Sequence, residues 1–80
     1  MERSDLPMIL ADRLNRIIEE QNLTKKEFAE KVGITEQYVY LLTGNSKKRP
    51  DKIAPALAKL IALKFGYDAG WILHGNQGTV

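Results

Sequence analysis

The chain has 80 residues, 44% hydrophobic and 28% charged, with 12 Lys and Arg against 10 Asp and Glu for a net charge of +2. This is the balance of one small globular domain with a single core, not of a disordered tail. Zero cysteines and one histidine exclude a disulfide framework and Cys- or His-rich metal sites, and remove most nucleophile–base pairs, so no enzyme, metal site, cofactor or small-molecule substrate is expected.

Ser4 or Asp5 predicts the cap of a first helix, with Pro7 tolerated in its opening turn. Leu6, Leu10, Leu14, Ile17, Ile18 and Gln21 then recur at three- and four-residue spacing, while Asp12, Arg13, Arg16, Glu19 and Glu20 lie largely elsewhere. That pattern predicts an amphipathic helix over about 6–21, ending near Asn22. Thr24-Lys25-Lys26-Glu27 has the form of a capping box, with Leu23 and Phe28 in the positions of a hydrophobic staple. Gly33 supplies a left-handed residue that keeps this second helix short. Ile34 alone separates it from the next cap, Thr35, and Ile34 and Val39 again stand in staple positions. A third helix is predicted from about Glu36 to Thr43, stopping at Gly44. Two short helices across a tight glycine turn are the sequence form of a helix-turn-helix.

Gly44 to Pro50 reads as a loop. A fourth helix starts between Lys52 and Pro55, with Ile53, Leu57, Leu60, Ile61 and Phe65 on its inner face and Gly66 at its close. Asp68 caps a last short helix with Trp71, Ile72 and Leu73 inside, while His74 is assigned to the surface. The domain is taken as residues 1–75, followed by a flexible tail over 76–80. Nothing shows strand-like alternation or an internal repeat, so the expected fold is all-α, five helices in one bundle. No apolar run approaches the roughly 20 residues of a membrane span. Met1-Glu2-Arg3-Ser4-Asp5 carries acids and lacks the apolar centre of a signal peptide. A cytoplasmic protein without a membrane partner is expected.

The charge is unevenly placed. Residues 1–43 hold six basic and eight acidic side chains, whereas 44–65 hold Lys47, Lys48, Arg49, Lys52, Lys59 and Lys64 against Asp51 alone. On the third helix, at about 100° per residue, Thr35, Val39 and Leu42 share the inward face. Gln37, Tyr40 and Leu41 lie opposite, with Glu36 and Tyr38 at the margins. A helix that reads DNA needs outward side chains near its N-terminus that satisfy base edges. Gln37 suits adenine, Glu36 can accept from a cytosine amino group, and Leu41 or the Tyr40 ring can pack on a thymine methyl. Lys25 and Lys26 at the start of helix 2, Tyr38, and the loop residues Lys47, Lys48 and Arg49 are the phosphate candidates. Plainer readings stand beside these. Glu36 also suits the helix dipole, Gln37 and the lysines also suit a solvated surface, and Tyr40 with Leu41 also suits a protein interface. The functional alternative to DNA reading is therefore a helical protein-interaction module built on the same scaffold.

Leu23-Thr24-Lys25-Lys26-Glu27-Phe28-Ala29-Glu30-Lys31-Val32-Gly33-Ile34-Thr35, then Gly44 through Lys48-Arg49-Pro50, then Trp71-Ile72-Leu73-His74-Gly75 resemble the lambda-repressor-like helix-turn-helix family, the Cro-type and phage-repressor domains. The resemblance runs from about Leu14 to Gly75. It implies a DNA-binding transcriptional regulator, a repressor, whose third helix enters the major groove as a two-fold dimer on a near-palindromic operator. By position it assigns base reading to Glu36, Gln37, Tyr40 and Leu41, a backbone contact to Arg49, and dimer contact to the region of Trp71 and Ile72. The chain departs from the family where many members carry glutamine at the first position of helix 2, bonding phosphate and bracing helix 3; here Lys25 stands there. It departs again in the longer interval from Pro50 to Gly66.

Overall fold

The computed structural model describes residues 9–44 and 50–75. Among them the secondary structure is entirely helical, in five segments: α1 (Leu10–Glu20), α2 (Lys25–Val32), α3 (Glu36–Thr43), α4 (Pro55–Phe65) and α5 (Ala69–His74). None is long and apolar enough to cross a membrane.

The predicted first helix begins later than its periodicity suggested. Ile9 has extended backbone and no side-chain cap, so α1 starts at Leu10, and the acid near its dipole end is Asp12 rather than a residue upstream. Ser4, Asp5, Leu6 and Pro7 lie outside the described residues. At the other end Asn22 adopts φ 57°, a conformation asparagine tolerates better than most residues. The Leu23 N–H donates to the Ile18 carbonyl at 3.0 Å, and that of Asn22 to the Glu19 carbonyl at 3.1 Å, closing the last turn.

Local signals in the middle of the chain are realised as predicted. The Glu27 amide donates to Thr24 Oγ1 at 3.0 Å and the Thr24 amide to Glu27 Oε1 at 2.9 Å, the reciprocal pair of a capping box. Gly33, at φ 88°, turns the chain out of α2. Thr35 Oγ1 then accepts from the Tyr38 amide at 3.1 Å to start α3. Pro55 sits in the first turn of α4, and Asp68 Oδ2 accepts from the Trp71 amide at 2.8 Å to open α5.

The core gathers Leu10, Leu14, Ile17 and Ile18 from α1, Phe28 and Val32 from α2, Val39 and Leu42 from α3, Ile61 from α4 and Ile72 from α5, with Ile53 from the approach to α4. The rings of Phe28 and Phe65 stack at 5.6 Å, joining α2 to α4. Packing follows a circuit: α1 on α3, α3 on α2, α2 on α4, α4 on α5, and α5 back on α1. Each helix thus covers the apolar stripe of two neighbours.

Several side chains depart from the predicted faces. Arg13 is buried, its guanidinium donating from Nε to the Ile72 carbonyl at 3.0 Å and from Nη2 to the Leu73 carbonyl at 3.3 Å. It satisfies carbonyls at the end of α5 that no intrahelical partner can reach, and its positive charge suits that end of the dipole. Gln21 is exposed rather than inward, bonding the Tyr67 hydroxyl at 3.4 Å. Leu60 is 38% exposed, because Ala58 and Ile61 turn the core-facing side of α4 away from it. Trp71 is half-buried, stacked on Tyr67 at 6.0 Å between ring centroids and packed against the core.

Candidate nucleic-acid interface

α3 is fixed from behind. Val39 and Leu42 are buried on its inner face, and Thr43, also buried, donates its hydroxyl to the Val39 carbonyl at 2.7 Å. Asn15 Nδ2 of α1 donates to the Thr43 carbonyl at 3.2 Å, satisfying one of the open carbonyls at the end of α3. Gly44 follows in extended backbone; a Cβ there would stand 2.9 Å from the Tyr40 carbonyl oxygen, so the chain leaves α3 along a path that leaves no room for a side chain. Both ends of the helix are therefore held by hydrogen bonds, Thr35 at the start and Asn15 at the finish.

The front of α3 is open. Glu36 and Gln37 are exposed, Tyr40 is 53% and Leu41 39% exposed, and Tyr38 at the margin is half-buried against the core cluster. The four residues assigned to base reading thus share the accessible side of one helix. Thr35, placed on the inward face by periodicity, is instead an exposed capping residue.

Beside that face stands the N-terminus of α2. Lys25 Nζ lies 4.8 Å from the centroid of the Tyr40 ring, a cation–π contact that ties the first residue of α2 to the outward face of α3. Lysine cannot form the amide network that glutamine supplies at this position in the resembled family. The ammonium over the ring links the same two helices by different chemistry. Lys26 is exposed on the same first turn. Lys47, Lys48 and Arg49 lie outside the described residues, although Gly44 and Pro50 bring the chain into and out of that segment.

The expected dimer contact divides. Ile72 is 0% exposed, so its side chain belongs to the chain's own core and is closed to a partner, while half-buried Trp71 keeps part of its surface. The hydrophobic run Trp71-Ile72-Leu73 could not distinguish them, because a six-residue helix offers too little periodicity.

Sequence reasoning missed three contacts. The Lys25–Tyr40 and Asn15–Thr43 contacts join separate elements, and no local spacing encodes them. Arg13 had a signal, since at about 100° per residue it falls beside Ile17 at the edge of the apolar stripe, where a long basic chain can tuck inward. Among the described residues no group of three or more His, Cys, Asp or Glu is placed to hold a metal ion.

Set against family models, curated proteins and solved structures, the chain finds no match, so the resemblance rests on its motif residues alone.

Proposed function

We propose that the chain is a sequence-specific, double-stranded-DNA-binding transcriptional regulator of lambda-repressor-like type, a cytoplasmic repressor that places α3 in the major groove and binds a near-palindromic operator as a weak dimer stabilised on DNA. The observation that carries this reading is the open face of α3. Gln37, Tyr40 and Leu41 stand together in solvent on a helix whose back is anchored by Val39 and Leu42. Exposed aromatic and aliphatic side chains at the front of a rigidly held helix suit a surface that is covered in use. The residue types fit base edges: the Gln37 amide can pair with both groups of adenine, Glu36 can accept from cytosine N4, and the Tyr40 ring and Leu41 can meet a thymine methyl. Lys25 and Lys26, beside the free N–H groups at the start of α2, supply a phosphate anchor that sets the register of α3. Tyr38 and the basic loop residues Lys47, Lys48 and Arg49 extend that anchor in this reading.

Selection from a random duplex pool tests it. The expected result is an enriched motif with two symmetric halves about 10 base pairs apart, one helical turn. Gln37→Ala then relaxes preference at one base pair, by about 1–3 kcal/mol, whereas Lys26→Ala weakens binding to all sequences alike. A pool that yields no motif would remove DNA reading and leave the exposed face of α3 to a protein partner.

A further inference from the structure

α4 carries a second apolar face that none of the other described helices covers. Ala58 and Ile61 are buried, and Leu57, Ala62 and Phe65 pack against the core. At about 100° per residue, Ala56, Leu60 and Leu63 fall on the other side. All three are exposed, Leu63 at 83%, the highest value among the exposed large hydrophobic side chains. Lys59 flanks this strip on one edge and Lys64 on the other, both exposed and neither in an ion pair with a described residue. No acidic residue occurs between Asp51 and Asp68. A surface helix normally shows water a polar face, and one that is apolar on both sides is normally covered on both. Residues 56, 60 and 63 have the i, i+4, i+7 spacing by which one helix seats another.

The charges decide among occupants. In a second copy laid antiparallel about the Leu60–Leu63 centre, the two Lys59 side chains would share one edge of the seam and the two Lys64 side chains the other, and like charges would oppose pairing. Against a membrane, two leucines and two lysines on a helix about 16 Å long give little apolar insertion and no aromatic anchor. A helix with its own apolar stripe bordered by Glu or Asp satisfies both the leucines and the lysines. We infer that the outward face of α4 is a docking strip for an acidic amphipathic helix of another protein. The strip shares no residue with the face of α3 or the first turn of α2, so this inference does not depend on DNA binding.

The test uses the full chain, labelled with ¹⁵N, and two synthetic helical peptides with the same leucine stripe, one bordered by glutamates and the other by lysines. The glutamate peptide should shift amide resonances of residues 56–64 in a saturable way, and the lysine peptide should not. Leu63→Ser, at a position too exposed to matter for folding, should weaken the glutamate peptide by about tenfold, the effect of withholding one leucine from burial. Lys59→Glu with Lys64→Glu should reverse the preference between the peptides. Equal binding of both peptides, or shifts outside α4, would overturn the inference. So would concentration-dependent dimerisation lost in Leu63→Ser, which would make the strip a self-contact. Leu63-dependent binding to anionic vesicles without peptide binding would make it a membrane contact and equally overturn the inference.

Discussion

At the scale of single residues, the side chains that set the shape of the molecule are polar ones joining elements far apart in sequence. Arg13 spans 59 and 60 positions to reach the carbonyls of Ile72 and Leu73. Burial pulls the pKa of its guanidinium below the ordinary arginine value, partly offset by the neighbouring charge of Asp12, yet arginine remains charged at any pH the fold would meet. The planar guanidinium donates to two carbonyls at once, which a lysine ammonium on a shorter reach cannot reproduce. Arg13→Met should therefore lower stability in urea denaturation by about 1.5–3 kcal/mol, the worth of hydrogen bonds to a charged group. Arg13→Lys should recover only part of that loss, and full recovery would show that charge near the end of α5 matters more than the paired bonds. Lys25 joins elements differently, through a ring rather than a carbonyl. A contact of this kind near the surface is worth about 0.5–1 kcal/mol, enough to bias the orientation of Tyr40 without fixing it.

At the scale of elements, the turn between α2 and α3 is the most local piece of the design. Gly33 holds φ 88° with open space where a Cβ would stand, so Gly33→Ala meets conformational strain and no clash. It should cost about 1–2 kcal/mol by denaturation, and a neutral result would mean that the turn relaxes into another conformation. The junction of α1 with the α4–α5 link depends on pH instead. The Tyr67 hydroxyl donates to Glu20 Oε1 at 2.6 Å and Arg16 Nε to Glu20 Oε2 at 3.0 Å, and these bonds, Tyr67 first, hold the Glu20 carboxyl below its ordinary 4.5. The resulting stabilisation is complete above pH 4.5 and disappears as pH falls through the folded value. Burial, reinforced by the bond to Glu20, raises the Tyr67 phenol above 10.0, so its share is present below pH 10.0 and is lost as pH rises through the raised value. Tyr67→Phe should thus be less stable than the parent at pH 7, with the gap closing in acid below the folded value for Glu20. A gap that stays unchanged as pH falls through the carboxylate range would assign it to the bond the hydroxyl accepts from Gln21 rather than to Glu20. These elements also divide by how legible they were. The capping box, Gly33, Thr35, Pro55 and Asp68 act within four residues of themselves, and sequence spacing alone placed them. The start of α1 and the exposure of Leu60 depend on which neighbour each helix finds, and no local pattern carries that information; for Arg13 the edge of the apolar stripe hinted at burial, but not at the carbonyls of α5 that it meets. The front of α3 was legible for the first reason: helical periodicity put Gln37, Tyr40 and Leu41 opposite Val39 and Leu42.

For the whole molecule, the circuit of helices sets how much surface remains for binding. Every helix spends one side on two neighbours, so the open front of α3 and the first turn of α2 form a footprint about one helix wide, suited to one groove. On the proposed function, a single copy reads one half-site, and its affinity comes largely from phosphate neutralisation by Lys25, Lys26 and the basic loop residues Lys47, Lys48 and Arg49. About four phosphates per copy would give a slope of log affinity against log salt of roughly −3 to −4. Two copies on one operator would double it to roughly −7. Binding to the selected operator and to one isolated half, followed over a salt series, should give slopes in a ratio of about two, with sedimentation showing two chains on the full site and one on the half. Equal slopes on both duplexes would mean that one copy makes all the phosphate contacts, and the two-fold arrangement would fall. A slope near zero on either duplex would remove the electrostatic anchor itself, because base contacts alone carry almost no salt dependence. The dimer need not be strong in the absence of DNA. With Ile72 enclosed in the core and only part of Trp71 accessible on α5, the duplex would do most of the work of holding two copies in register. The free protein should therefore sediment as a monomer at concentrations where the operator complex is already two-to-one.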